Sequence, residues 1–312
     1  MGFQKVNQLA GDKIPFLFIS DFNATNLEVI PLDELDAKGI EFAIDANYIF
    51  KEHNYALKKI PINFEIYKTK FNQVIEKIKS GDSYLLNLTQ PTNITTNLTL
   101  KKIFDVANAH YKLRYKDKFV CFSPEKFISI KDNKINTYPM KGTIDASLVD
   151  AKRKILEDEK EMAEHIMVVD LLRNDLSIVS KKVKVEKFRY ITKIEAGEKN
   201  LLQVSSHISG ELDVGWQSSL GDILNSLLPA GSITGTPKKS TIKIIEEIEG
   251  YERGFFSGVF GVFDGENFDS GVMIRFIEKT RNSLIYKSGG GITLDSDVKS
   301  EYNEMLDKVY LP

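Results

Sequence analysis

Residues 123–143, SPEKFISIKDNKINTYPMKGT, constrain the fold most strongly, because they predict two strands joined by a tight turn. β-Branched and aromatic side chains predominate in residues 127–130 and 135–138, and Asp132 and Asn133 lie between them as turn residues. A two-residue connection of this kind joins antiparallel strands. The chain is therefore expected to contain an antiparallel sheet with a hairpin at this point.

Each end of the hairpin segment carries a side chain capable of chemistry. Glu125 follows Ser-Pro at one end, and Lys141 precedes Gly142 at the other. Antiparallel pairing is expected to bring the two ends together, so that an acid and an amine face one substrate while Gly142 permits close backbone approach. The alternative is an exposed hairpin with a surface glutamate and a surface lysine.

Composition limits the function classes open to the chain. Its 312 residues suit one large α/β or α+β unit, and its net charge of −2 shows no basic excess for binding nucleic acid. We find no apolar run near 18 residues and no charged-then-apolar leader, so a cytoplasmic chain without a membrane segment is expected. Cys121 is the only cysteine, which excludes disulfides and thiolate zinc sites within the chain, and it is expected to be a buried, inert thiol.

Hydrophobic periodicity predicts several helices and strands before and after the hairpin. Residues 67–78 predict a helix that ends at Gly81, and a strand from Ser83 is expected to stop at Pro91. Residues 100–111 predict another helix. A long, charged helix is expected over residues 150–172, followed by a polar stop at residues 173–175, and a final helix over residues 298–311.

Two of these helices carry glutamates three residues apart, which therefore share a helix face. Glu161 and Glu164 lie where the long helix becomes apolar, and Glu301 and Glu304 lie in the final helix. A solvated acidic face is the simpler alternative. Carboxylate oxygens are also ligands that Mg²⁺ prefers, together with waters and substrate oxygens.

Three further features point to an anionic ligand. The small-residue loop at residues 229–237 precedes a helix over residues 238–249, whose first N–H groups can bind an anion. A triple glycine at residues 289–291 follows a predicted strand. Arg275 is expected inside a buried strand, where it needs an anionic partner from the protein or from a ligand.

Eight segments, in order along residues 65–312, resemble the successive signatures of the chorismate-utilising enzymes. They are SPEKF, YPMKGT, AEHIMVVDLLRNDL, GSITGTPK, RGFFSGVFG, IRF, GGGITLDSD and EYNEMLDK. The resemblance implies an α+β fold of two facing antiparallel β-sheets covered by helices, with the active site between them. It also implies that residues 65–312 form the chorismate-binding catalytic domain and that residues 1–64 are a short N-terminal segment integrated in the fold.

Within that family the lysine position separates the activities. Aminodeoxychorismate synthases carry Pro-Ile-Lys-Gly-Thr where anthranilate synthases have alanine for the lysine, and residues 139–143, PMKGT, are similar to the first pattern. The resemblance implies that Lys141 adds to ring C2 of chorismate and that Glu125 protonates the departing 4-hydroxyl, after which ammonia enters at C4. Lys141 must be neutral to attack, which an exposed lysine is not at neutral pH.

The resemblance also assigns the binding residues. Glu164 and Glu304 would bind Mg²⁺, and Glu161 and Glu301 would lie close to the ion or its waters. Arg275 would hold the pyruvyl carboxylate of chorismate. The ring and its carboxylate would be held by backbone N–H groups of two glycine-rich segments, whose residues are Thr234, Gly235, Gly289, Gly290 and Gly291.

Ammonia must come from elsewhere, because the buried Cys121 belongs to no glutaminase site. The resemblance therefore implies a separate glutamine amidotransferase subunit. Leu202 stands where the family usually has a histidine linked to pyruvate elimination in anthranilate synthases, which agrees with an enzyme that keeps the pyruvyl group. The alternatives are an anthranilate, isochorismate or salicylate synthase, or a non-catalytic module that binds Mg²⁺ or phosphate.

Overall fold

A computed structural model describes residues 2–45, 55–196 and 199–311 of the chain. The α-helices, numbered along the chain, are α1 Gly2–Gly11, α2 Leu35–Lys38, α3 Phe64–Lys79, α4 Leu100–Val106, α5 Ala151–Glu157, α6 Glu159–Val179, α7 Leu220–Leu227, α8 Lys238–Glu249 and α9 Val298–Asp307. Short 3₁₀ helices lie at Leu32–Glu34, Trp216–Ser219 and Gly231–Ile233.

The strands are numbered in the same way. They are β1 Phe16–Ser20, β2 Leu27–Pro31, β3 Ile40–Ile44, β4 Leu57–Ile60, β5 Leu85–Thr96, β6 Tyr111–Tyr115, β7 Phe119–Ser123, β8 Lys126–Lys131, β9 Lys134–Thr137, β10 Met140–Asp145, β11 Lys181–Ala196, β12 Lys199–Glu211, β13 Gly235–Thr236, β14 Val259–Phe263, β15 Phe268–Val272, β16 Phe276–Lys279 and β17 Leu284–Ile292. They form two sheets, so the predicted α+β class with antiparallel sheets and helices is confirmed.

The chain divides into two compact units, each assembled from three separate segments. The first contains Met1–Phe16, Lys126–Ser232 and Gly261–Ser270. The second contains Leu17–Glu125, Ile233–Phe260 and Gly271–Pro312. Of the candidate site residues, Lys141, Glu161 and Glu164 belong to the first unit and all the others belong to the second.

The sheet of the first unit contains the predicted hairpin. Strands β8 and β9 pair antiparallel, with Ser129 opposite Asn136, and Asp132 and Asn133 form the turn with φ of 50° and 56°. The order β10, β12, β9, β8 places a third strand beyond the hairpin, and β11 pairs with β12. Lys141 therefore lies on β10, which pairs with β12, rather than on the returning strand of the hairpin.

The long charged helix predicted over residues 150–172 is two helices. Asp158 separates α5 from α6 with extended backbone, and its side chain accepts a hydrogen bond of 2.9 Å from the N–H of Glu161 as an N-cap. The polar residues 173–175 do not stop α6, which continues to Val179. Arg173 is solvent-exposed, and it pairs with Asp170 on the helix surface, so a polar residue there is no obstacle to the helix.

The second unit contains a sheet in the antiparallel order β13, β5, β17, β16, β7, β6, β3, with β4 also paired to β5. Strand β5 continues through Pro91, where the sequence predicted a stop. On one edge of β5, Pro91 is opposite Lys287 of β17. On the other edge, in the described residues, β13 pairs with residues 85–86 of β5 and β4 pairs with residues 93–96. Pro91, which has no N–H, is accommodated because this second edge has no paired strand at its position within the part of the chain that the structure describes.

Helix α3 forms as predicted, because Tyr67, Phe71, Val74 and Ile78 make one buried stripe and the Asn63 side chain caps the first turn. The next predicted helix is shorter than expected, since α4 ends at Val106 and Tyr111 begins β6. The final helix ends at Asp307 rather than at residue 311. Cys121 is fully buried, as predicted, and burial raises the pKa of its thiol.

No helix in the described part of the chain combines the length and apolarity needed to span a bilayer.

Candidate active site

Lys141 sits in an irregularity of β10. Met140 is opposite Ser205 and Thr143 is opposite Gln203, so two residues of β10 face one residue of β12 in a β-bulge. The Lys141 ammonium donates a hydrogen bond of 2.9 Å to Glu164 Oε2. Their side chains are 25% and 10% exposed, so this ion pair is largely shielded from water.

Gly142, the second bulge residue, is required for two reasons. Its φ is +81°, a left-handed conformation that other residues adopt with strain. A Cβ at this position would lie 3.1 Å from Glu161 Oε2. The bulge therefore makes room for the Glu161 carboxylate beside the strand that carries Lys141, and the first unit brings its three candidate residues together.

A histidine that the sequence did not single out links the helix to the sheet. His165 is fully buried, and its Nε2 forms a 2.7 Å hydrogen bond with Ser206 Oγ. The N–H of Ser206 in turn donates to Pro139 O at 2.9 Å, one residue before β10 begins. Burial lowers the pKa of His165 to about 4, and the charges of Arg189 and Lys141 act in the same direction. A neutral His165 therefore joins α6 to the strands around Lys141.

In the second unit the triple glycine and the C-terminal glutamates are neighbours. A Cβ at Gly290 would lie 3.3 Å from Glu304 Oε1 and 3.5 Å from Glu301 Oε2. Lys308 bridges the two elements, because its ammonium donates to Gly289 O at 2.8 Å and to Glu304 Oε1 at 2.6 Å. The glycines thus let two carboxylates approach the strand closely.

The two C-terminal carboxylates differ in exposure and in their partners. Glu301 is buried and accepts a 2.7 Å hydrogen bond from Ser296 Oγ, whereas the side chain of Glu304 is 54% exposed. Burial raises the pKa of the Tyr67 hydroxyl, and the nearby charges of Glu301 and Glu304 raise it further. Tyr67 on α3 therefore lies in the negative field of both glutamates.

The other glycine-rich segment, Thr234 and Gly235, lies along the edge of β5. The N–H of Asn87 donates to Thr234 O at 2.9 Å, and Gly235 is opposite Leu86. A Cβ at Gly235 would collide with Leu85 O at 1.9 Å. Because Gly291 is opposite Asn87 on the other edge of β5, the two glycine-rich segments flank the same stretch of one strand.

Arg275 is not inside a strand, contrary to the sequence prediction. It lies between β15 and β16 with a φ of +50° and is half-buried. Its Nε donates to Tyr310 Oη at 3.2 Å. The fully buried arginine of this unit is Arg253, which the sequence analysis missed and which forms an ion pair of 2.7 Å with Glu249.

Glu125 ends the first long segment of the second unit and is half-buried. Its backbone is fixed at both groups, since its N–H donates to Ser123 Oγ at 3.1 Å and its carbonyl accepts from the N–H of Val272 at 3.0 Å. The expected approach of Glu125 to Lys141 stays a prediction.

The glutamates suit a hard cation in chemistry, although each unit supplies only a pair. In the described residues no group of three or more His, Cys, Asp or Glu side chains is arranged to hold a metal ion. The donors are all carboxylate oxygens, and glycines at positions 142 and 290 clear the space beside them. Mg²⁺ commonly uses one or two protein carboxylates and completes its shell with water and substrate oxygens, so these residues fit it.

These features define a class: an α+β protein of antiparallel sheets, with glycine-rich segments and paired carboxylates suited to a cation and a carboxylate-bearing ligand. The chain can be compared with a solved anthranilate synthase component I from Streptococcus pneumoniae TIGR4. The TM-score is 0.70 at 25% identity, covering 81% of this chain and 58% of that one.

The sequence comparisons name the family. The chorismate binding enzyme family matches residues 47–311, and the chain belongs to it. An uncharacterized PabA-like protein of Pasteurella multocida (strain Pm70) is 46% identical over 315 residues, covering 99% of this chain and 97% of that relative. Aminodeoxychorismate synthase component 1 of Bacillus subtilis (strain 168) is 35% identical over 260 residues, covering 77% of this chain and 54% of the relative. The chain thus spans about half the length of that synthase.

Proposed function

We propose that the chain converts chorismate and ammonia to 4-amino-4-deoxychorismate, with ammonia released from glutamine by a separate amidotransferase subunit. The observation that carries this proposal is Lys141, a lysine in a glycine-containing bulge whose ammonium is held by Glu164 at 2.9 Å. A lysine fixed in this way is suited to reach a substrate from a defined direction.

In the proposed reaction Lys141 first releases its ammonium proton to solvent, and the neutral amine then forms a bond to ring C2 while the ring double bonds shift and the C4–O bond breaks. Glu125 gives its proton to the departing hydroxyl, which leaves as water. Ammonia then attacks C4, the double bonds shift back, and the C2–N bond to Lys141 breaks. Lys141 leaves as the neutral amine, the nitrogen added at C4 gives a proton back to Glu125, and the pyruvyl ether stays on the product.

The carboxylates have a binding role in this scheme. Glu164 and Glu304 would hold Mg²⁺, with Glu161 and Glu301 beside the ion or its waters. When bound, Mg²⁺ supplies positive charge to a carboxylate of chorismate. A hydrogen bond from Lys141 orients Glu164, and one from Lys308 orients Glu304. Ser296 does the same for Glu301.

The remaining contacts would hold the rest of chorismate. Arg275 would bind the pyruvyl carboxylate through its guanidinium. The N–H groups around Thr234 and Gly235 and those of the strand at residues 289–291 would receive the ring and its carboxylate. Both glycine-rich segments flank β5, which supports their acting on one ligand.

Three features favour amination at C4 over the other family reactions. PMKGT keeps the lysine, and the relative from Bacillus subtilis is named an aminodeoxychorismate synthase. Leu202, opposite Ile144 in the sheet, offers no imidazole for pyruvate elimination. A cytoplasmic location and the division into residues 1–64 and 65–312 stay predictions.

The experiment is product identification. Pure protein is incubated with chorismate, Mg²⁺ and ammonium, and the product is identified by chromatography and mass spectrometry against authentic standards. We expect 4-amino-4-deoxychorismate. Anthranilate, isochorismate or salicylate would assign another family reaction, and no consumption of chorismate by folded protein would refute the proposal.

A further inference from the structure

Arg275 has a strained backbone that the structure holds in place. A φ of +50° is uncommon for an arginine and persists only where the surroundings fix it. The N–H of Phe122 donates to Arg275 O at 3.2 Å, and the N–H of Met273 donates to Gly258 O at 2.7 Å. Backbone hydrogen bonds therefore hold the kink between β15 and β16 at Met273 and at Arg275. The kink fixes the position of the Arg275 backbone, from which the side chain extends.

Tyr310 fixes the other end of that side chain. Its Oη accepts the hydrogen bond from Arg275 Nε at 3.2 Å, and its ring centroid lies 5.6 Å from the guanidinium carbon. Across residues 2–45, 55–196 and 199–311 we find no other hydrogen bond or ion pair to this guanidinium. With Nε taken, the N–H groups of the two terminal nitrogens form the edge of the fork that can bind a carboxylate at two points.

Tyr310 is itself anchored, although its side chain is 41% exposed. Its ring lies edge-on to Phe122 at 5.9 Å, and the residues on either side, Val309 and Leu311, are buried in the core. The Tyr55 hydroxyl donates to Leu311 O at 2.8 Å. The segment after α9 is thus packed against the core, and it holds Tyr310 beside Arg275.

We propose that Tyr310 is a positioning residue for carboxylate recognition: it holds the Arg275 guanidinium so that its terminal N–H groups receive a carboxylate end-on. This inference rests on the proposed function, in which that carboxylate is the pyruvyl carboxylate of chorismate. Tyr310 acts through Arg275, so its effect on binding exists only while Arg275 is present. This contact is not visible in the sequence, because Tyr310 lies 35 residues after Arg275 and outside the segments that resemble the family signatures.

A double-mutant cycle tests this dependence. The dissociation constant of chorismate is measured by calorimetry for wild type, Tyr310→Phe, Arg275→Ala and the double variant, and KM and kcat are measured alongside. Tyr310→Phe keeps the ring and removes only the hydroxyl, so we expect about two- to tenfold weaker binding, a raised KM and a nearly unchanged kcat. In the Arg275→Ala background the same change should have no effect.

Tyr115→Phe is the matched control, since it removes a hydroxyl bonded to Glu28 at 2.8 Å in the same unit and outside the proposed site. It should leave chorismate binding unchanged. Wild-type binding with an unaffected Tyr310→Phe, or equal losses in both backgrounds, overturns the inference and leaves the proposed function intact. Absence of chorismate binding and turnover in the wild type overturns both.

Discussion

Lys141 Nζ and Glu164 Oε2 are 2.9 Å apart, so the proposed nucleophile and a proposed metal ligand share one hydrogen bond. Lys160 approaches the other oxygen of the same carboxylate at 4.0 Å. Two cationic side chains therefore surround a carboxylate that is largely buried. Mg²⁺ at Glu164 would therefore compete with an ammonium group in a largely buried pair, whereas the Glu304 side chain, the partner of Lys308, is 54% exposed.

This difference makes a prediction for the two glutamates. Glu164→Gln and Glu304→Gln should each raise the Mg²⁺ concentration for half-maximal turnover by at least about tenfold, because an amide is a weaker oxygen ligand. Excess Mg²⁺ should restore Glu304→Gln more fully than Glu164→Gln, since the second variant also alters the partner of Lys141. Turnover rates across a Mg²⁺ titration are the measurement.

Glu159→Gln is the control for these variants, because Glu159 is an exposed residue in the first turn of α6, the helix that carries Glu164. It should leave the Mg²⁺ requirement unchanged. If both ligand variants kept the wild-type titration curve, the assignment of these carboxylates to the metal would be wrong.

Lys141→Ala should change the product as well as the rate. Without the C2 adduct the native route is closed, and the space left by the side chain can hold water or ammonia. We expect loss of most 4-amino product and attack of ammonia at C2 to give the 2-amino isomer. Chromatography of the products decides this, and a chorismate-derived mass on Lys141 in the wild type would support the adduct directly. Unchanged rate and product would reduce Lys141 to a positioning charge.

Glu125→Gln should behave differently, because a proton donor affects bond cleavage and not the choice of ring position. Removing a general acid typically costs about 10²–10⁴-fold in rate. The remaining product should still be the 4-amino compound, as shown by the same chromatography. A switch to the 2-amino isomer in this variant would contradict the role given to Glu125.

The nitrogen source provides a separate prediction. Cys121 is fully buried and its thiol pKa is raised by burial, so it cannot serve as a glutaminase nucleophile. Ammonium salts should support turnover by the pure chain, whereas glutamine should do so only after a glutamine amidotransferase subunit is added. Formation of glutamate and aminated product from glutamine by the pure chain would show that this expectation is wrong.

The sequence predicted elements whose signal is local. Apolar residues at three- and four-residue spacing predict α3, and Asp132 and Asn133 between two strand patterns predict the β8–β9 hairpin. Helix α8 begins and ends where the sequence placed it, after Pro237 and before Gly250. Such elements follow from periodicity and turn chemistry, which need no knowledge of distant partners.

The misses depend on distant partners or on a single residue. Asp158 breaks a continuous charged pattern because it caps α6 better than it continues α5. Pro91 stays within β5 because β13 and β4, which share one edge of β5, pair with other residues of that strand. Arg275 occupies a kink and contacts Tyr310 from the end of the chain. None of these arrangements is visible in hydrophobic periodicity.

The bulge beside Lys141 gives the last prediction, on the role of Gly142. Alanine at this position meets two penalties, a left-handed φ of +81° and a Cβ 3.1 Å from Glu161 Oε2. Gly81 isolates the first, because its φ is +82° and a Cβ there has nothing within 4 Å. Gly81→Ala should therefore lose about 1 kcal/mol of unfolding free energy and keep its turnover.

Gly142→Ala should lose at least as much stability and, in addition, move the Glu161 carboxylate or the Lys141 strand. We expect its chorismate turnover to fall by about tenfold or more, because a displacement near 1 Å at a catalytic site costs about 10²-fold. Denaturant unfolding and steady-state kinetics of both variants are compared with wild type. Equal stability losses with equal, unimpaired turnover would show that the space beside Gly142 has no part in holding Glu161 for function.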